Sequence, residues 1–135
     1  MKNKLVALLK KHESIRLKPY LDTVGKLTIG IGRNLDDVGI SLDEAEYMCN
    51  NDIDRCIWDL DKHLPWYKDL SENRQLVLMD MCFNLGISKL LGFKDTLASI
   101  KAGNYELASE QMLQSKWASQ VKGRALELST MMRDG

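Results

Sequence analysis

The sequence predicts an α+β fold, predominantly helical: a small N-terminal lobe with a hairpin-like sheet, a long connecting helix, and a helical C-terminal lobe. Three observations predict it. Between Tyr20 and Ile40, glycines at 25, 30, 32 and 39 are mixed with Thr23, Thr28, Ile29 and Ile31, a β pattern with turn signals. From Ser41 to Pro65, apolar residues recur at helical spacing without a breaker. After Pro65 the remaining apolar runs all read as helix. A chain of 135 residues, 44% hydrophobic and 28% charged, is one domain's worth and too apolar for disorder.

The elements follow in order. Residues 4–12 read as a helix, with Leu5, Leu8, Leu9 and His12 on one stripe and Asn3 able to cap the start. Pro19, which also restricts Lys18, excludes its continuation. A tight turn falls near Val24-Gly25. Ser41-Leu42-Asp43-Glu44 is a capping box, in which the Ser41 hydroxyl accepts an N–H and Glu44 reaches back to the cap. Asp43, Glu44 and Glu46 complement the dipole of the helix they open. That helix carries Ala45, Cys49, Ile53, Cys56, Ile57, Leu60 and Leu64 on one stripe and can run to Pro65, about 33 Å. Ser71 caps the next, residues 72–84. Its stretch from Leu76 to Phe83 is apolar nearly all round, so it is expected as a buried central helix ended by Gly86. Shorter helices are expected near residues 89–91, over 93–102 before Gly103, over 105–114 behind Asn104, and over 124–133.

Charge excludes some partners. Nineteen Lys and Arg balance nineteen Asp and Glu, so no net field draws in nucleic acid or an anionic membrane. No apolar run approaches the length of a spanning helix. Residues 1–33 hold eight Lys and Arg against Glu13 and Asp22, and residues 36–61 hold nine Asp and Glu against Arg55. The acidic stretch reads as a solvated helix face. The apolar run at residues 5–9 is too short for a secretion signal, and three cysteines suit a reducing cytosol. Cys49, Cys56 and Cys82 are expected as buried thiols, because their spacing does not suit zinc. Trp58, Trp66, Tyr67 and Trp117 are expected to pack inside, as are the methionines at 48, 79, 81, 112, 131 and 132.

Chemistry concentrates between Glu13 and Gly32. Glu13 closes the first helix, where the dipole disfavours its charge and favours the protonated form a general acid needs. Asp22 lies in the polar β region, where it can stay ionised. Two carboxyls in unlike surroundings divide into acid and base roles. Thr28 could hold a water beside Asp22, and Gly30 and Gly32 let a bulky ligand approach the backbone.

Glu13, then eight residues, Asp22-Thr23, Gly25 and Thr28-Ile29-Gly30-Ile31-Gly32 resemble the catalytic signature of the phage-type lysozymes, the T-even phage family of muramidases. The likeness continues in Asp43-Glu44-Ala45-Glu46, Phe83-Asn84-Leu85-Gly86 with Gly92-Phe93, Tyr105, Ser115-Lys116-Trp117 and Gly123-Arg124-Ala125-Leu126-Glu127. The resemblance implies a single lysozyme domain over 1–135, with lobes of roughly 13–60 and 61–135 plus 1–12. It implies hydrolysis of the β-1,4 bond between N-acetylmuramic acid and N-acetylglucosamine. Glu13 would be the general acid, Asp22 would activate water, and Thr28 would position it. Inversion at the anomeric carbon would ask for carboxyls about 6.5–9.5 Å apart.

The family's sugar-binding positions fall on Asn34, Phe83, Thr96 and Gln111. Arg124 falls where an arginine pairs with the catalytic glutamate. Arg33 stands where several relatives have histidine, and its acidic partner position falls on Asp52, so an Arg33–Asp52 ion pair is expected. No metal or cofactor is implied. The implied partner is the peptidoglycan glycan strand, with neither nucleic acid nor stable membrane insertion, and the implied state is a monomer. As a phage or prophage endolysin it would accumulate in the host cytoplasm, leave through a holin pore, and act on the wall from the periplasm. An alternative from the same residues is a non-catalytic lysozyme-fold module that holds a wall glycan or a protein partner. Transglycosylation is a third reading, against which the water-holding Asp22–Thr28 pair argues.

Overall fold

The α+β class is observed: 69% of residues are helical, beside a three-stranded antiparallel sheet. The computed structural model describes Met1–Gly135. The chain divides into two compact units, Met1–Met48 and Cys49–Gly135.

In the first unit, α1 (Lys2–Glu13) is followed by β1 (Arg16–Leu21), β2 (Leu27–Gly30) and β3 (Arg33–Asn34), in the order β1-β2-β3. The register pairs Tyr20 with Thr28, Leu21 with Leu27, and Thr28 with Asn34. β1 starts before the β pattern at Tyr20. Pro19 fits there because β1 is an edge strand and its ladder is irregular between Arg16 and Tyr20. Asn3 does not cap α1, because the helix already begins at Lys2. Leu5, Leu8 and Leu9 share a stripe, yet no residue of α1 is buried. Thr28 alone is buried in this unit.

The capping box forms: Glu44 N donates to Ser41 Oγ over 3.1 Å, and Ser41 N donates to Glu44 Oε1 over 2.9 Å. It opens α2 (Leu42–His63), which passes from the first unit into the second and stops before Pro65. A 3-10 helix (Pro65–Asp69) leads to α3 (Glu72–Leu85), α4 (Ile87–Leu91), α5 (Lys94–Lys101), α6 (Tyr105–Leu113), α7 (Lys116–Val121) and α8 (Gly123–Asp134). Ser71 and Asn104 cap α3 and α6 as expected. α7 is not among the helices expected from apolar spacing; Ser115 Oγ caps it by accepting from Ala118 N.

The core of the second unit is built on Leu60, Leu78, Met81, Leu90, Ile100 and Met112. Of the α2 stripe, Cys56 and Leu60 are buried, whereas Cys49 and Ile53 are exposed. α3 is not buried all round either, because Leu76 and Phe83 are 46% and 45% exposed. Tyr67 and Trp117 are inside, but Trp58 is exposed under the Lys62 ammonium, 5.0 Å from its ring centre. Burial pushes the Cys82 thiol up to about 12 and the Cys56 thiol up as well. Neither is a ready nucleophile. No helix is long and apolar enough to cross a membrane.

Candidate active site

Glu13 and Asp22 flank β1, one before its first residue and one after its last. α1 ends at Glu13 because Ser14 leaves the helix at φ 66° and ψ 177°, while its N–H still bonds to Lys10 O. Glu13 is exposed, and its carboxyl lies over the turn between β2 and β3. A Cβ on Gly32 would stand 2.8 Å from Glu13 Oε2. The close approach to the Gly32 backbone is thus made by Glu13 itself.

Asp22 sits in the β1–β2 turn. Its Oδ1 accepts from Val24 N at 2.9 Å and from Lys26 N at 2.8 Å, and its own N–H bonds to Lys26 O at 2.9 Å. Two amides therefore fix the carboxylate through one oxygen, and Oδ2 keeps its lone pairs for solvent. Thr28, 3% exposed, donates its hydroxyl hydrogen to Lys26 O over 2.8 Å. Its oxygen is left as an acceptor. Lys26 thus orients both side chains through its backbone, a role that a side-chain motif does not reveal.

The other expected residues are distributed. Asn34 is engaged with its own loop: Nδ2 donates to Asp37 Oδ2 and Oδ1 accepts from Asp37 N, both at 2.9 Å. Thr96 and Gln111 line one open cleft of about 600 Å³ in the second unit, with Phe93, Trp117, Lys94 and Lys116. Gln111 Oε1 accepts from Ser99 Oγ at 2.8 Å, which turns its amide nitrogen to the free side. Phe83 lines a different depression of about 580 Å³, together with Arg124, Leu76 and Met79. Arg124 makes its ion pair with Asp80, 2.7 Å away.

The expected Arg33–Asp52 pair is not formed. Arg33 grips Glu44 through both terminal nitrogens, at 2.8 and 2.7 Å, and donates to Gly39 O. Asp52 pairs with Arg55 one turn along α2. The loop from Asn34 to Ser41 brings the capping glutamate back to Arg33, so the nearer acid wins. Held by Arg33 and by the Ser41 amide and hydroxyl, the Glu44 carboxyl falls to about 2. No group of three His, Cys, Asp or Glu side chains is placed to hold a metal ion.

Glu13 at a helix end, the amide-clamped Asp22 and the buried Thr28 thus fall within one unit of the chain. The chain belongs to the phage lysozyme family, whose model matches residues 10–133. That membership supports lysozyme-type activity. The chain is 26% identical to the pre-baseplate central spike protein Gp5 of Enterobacteria phage T4, over 97% of its own length but 28% of that protein's. It is 25% identical to a probable T4-type lysozyme 1 of Dictyostelium discoideum, covering 95% of this chain and 92% of that one. It is 26% identical to an endolysin of Acyrthosiphon pisum secondary endosymbiont phage 1, over 95% and 87%.

Proposed function

We propose that the protein is a muramidase that hydrolyses the β-1,4 bond between N-acetylmuramic acid and N-acetylglucosamine in peptidoglycan. We further propose an inverting mechanism and a role in host cell lysis as a phage or prophage endolysin. The observation that carries the reading is the Asp22 clamp, because two amides on Oδ1 leave Oδ2 free to accept, and the Thr28 hydroxyl, donating to Lys26 O, likewise leaves its oxygen free to accept. A water held between those two acceptors attacks the anomeric carbon. Its proton passes to Asp22 as the new C–O bond forms. Protonated Glu13 gives its proton to the departing glycosidic oxygen, and the old C–O bond breaks through an oxocarbenium-like transition state. Asn34, Phe83, Thr96 and Gln111 are the proposed glycan contacts, with Arg124 and the Arg33–Glu44 pair as supporting groups.

The protein is proposed to work as a monomer that accumulates in the host cytoplasm and reaches the wall through a holin pore. The test compares clearing of purified peptidoglycan by wild type and Glu13→Gln at equal folded concentration. Wild type should clear, and Glu13→Gln should bind but clear about 10²–10⁴-fold more slowly. An α-anomeric product, read by proton NMR during turnover, marks inversion; a β-anomer replaces it with retention. Binding without clearing by both proteins would replace the muramidase with a non-catalytic module, and equal clearing would move the acid elsewhere.

A further inference from the structure

We propose that Gly32 is the positioning residue for the Glu13 carboxyl: the missing side chain at the β2–β3 turn is the seat in which that carboxyl rests. The proposal deepens the muramidase reading and rests on it for its catalytic consequence, though not for its geometry. Gly32 has φ +69°, and a Cβ there would meet Glu13 Oε2 at 2.8 Å and both Cδ and Cγ at 3.0 Å. All three atoms belong to one side chain. Gly30, two residues earlier, has nearly the same φ of +72°, but a Cβ there would meet nothing within 4 Å.

The two glycines therefore separate two requirements. Both are needed for a left-handed backbone in the turn. Gly32 alone leaves room for the acid. A carboxyl is the far end of a flexible chain, so an added methyl at position 32 is accommodated by moving the carboxyl rather than by breaking the sheet. A displaced acid of this kind lowers turnover without weakening glycan binding, because the proton is needed in the transition state and not in the ground-state complex.

The experiment compares Gly32→Ala with Gly30→Ala in the full chain. Melting temperature reads the shared strain, and nuclear Overhauser contacts from the Glu13 Cγ protons to residue 32 read the seat. Peptidoglycan kinetics read its consequence. Both variants should lose a similar amount of melting temperature. In Gly30→Ala the Glu13 contacts should match wild type, and in Gly32→Ala they should change. Gly32→Ala should also fall about a hundredfold below Gly30→Ala in kcat, with KM within about threefold.

Unchanged Glu13 contacts in Gly32→Ala, with kcat equal to that of Gly30→Ala, would overturn the proposal and leave Gly32 as an ordinary turn residue. Should wild type itself prove inert on peptidoglycan, the muramidase reading fails, while the Overhauser contacts still decide the seat. If Gly32→Ala does not fold although Gly30→Ala does, Glu13→Ala/Gly32→Ala decides. Recovered folding identifies Glu13 as the colliding group, and continued failure overturns the proposal.

Discussion

At Glu44 one carboxylate closes two structures, the capping box of α2 and the bidentate grip on Arg33. Its carboxyl falls from an ordinary 4.5 to about 2, chiefly through the Arg33 hydrogen bonds. A depressed carboxyl stabilises the fold fully above its unfolded value and loses that contribution as pH falls through the folded one. Wild type should therefore lose melting temperature between pH 4.5 and 2 more steeply than Glu44→Gln, the gap between them closing toward pH 2. Asp61 and Asp134, lowered by Lys68 and Arg133, titrate in both proteins, so the difference isolates Glu44. Calorimetry across this range checks it, and parallel acid limbs would show that the pair contributes nothing. The capping box was legible because its spacing is local. The partner of Arg33 was not, because that depends on how the chain returns between Asn34 and Ser41. The helix end at Glu13 and the turn beside Asp22 were legible from local signals, whereas the Lys26 backbone that orients Asp22 and Thr28 carries no side-chain signal.

Helix ends show the same contrast between local and remote causes. Ser71, Asn104 and Ser115 each accept an N–H from the first turn of the following helix, and short polar residues before an apolar run announce this directly. Ser14 is different. It ends α1 at φ 66° and ψ 177°, a region that is costly for any residue with a Cβ. Nothing in the type of residue 14 predicts that, because the turn is imposed by the path from α1 into β1. Ser14→Gly should raise stability by about 0.5–1 kcal/mol, the relief of strain exceeding glycine's greater unfolded-state entropy. Urea unfolding would measure it, and a loss of stability would mean that the Ser14 side chain contributes more than its backbone costs. Burial within helices was harder to read than their extent. Trp58, off the apolar stripe of α2, and Cys49, on it, are both exposed, since a periodic stripe says which residues share a face but not how far the covering elements reach.

Across the whole chain, packing is distributed unequally. Every buried apolar side chain lies from Cys56 onward, and the first unit buries Thr28 alone. Glu13, Asp22 and Thr28 are thus held by turns, amide hydrogen bonds and a three-stranded ladder rather than by an apolar core. Composition could not reveal this, since Leu5, Leu8 and Leu9 look as core-like in sequence as Val77 and Leu78. Regions with few buried contacts open at lower free energy than the core. Amides of β2 should exchange with solvent through openings at least about 2 kcal/mol below those that expose α3. Leu78→Ala, which empties a fully buried site on α3, should lower global stability by about 2–5 kcal/mol. It should speed exchange across α3 while leaving β2 unchanged, because β2 already opens without global unfolding. Native-state hydrogen exchange on both proteins would decide it. If the β2 amides accelerated together with those of α3, the site would be held by the core of the second unit after all.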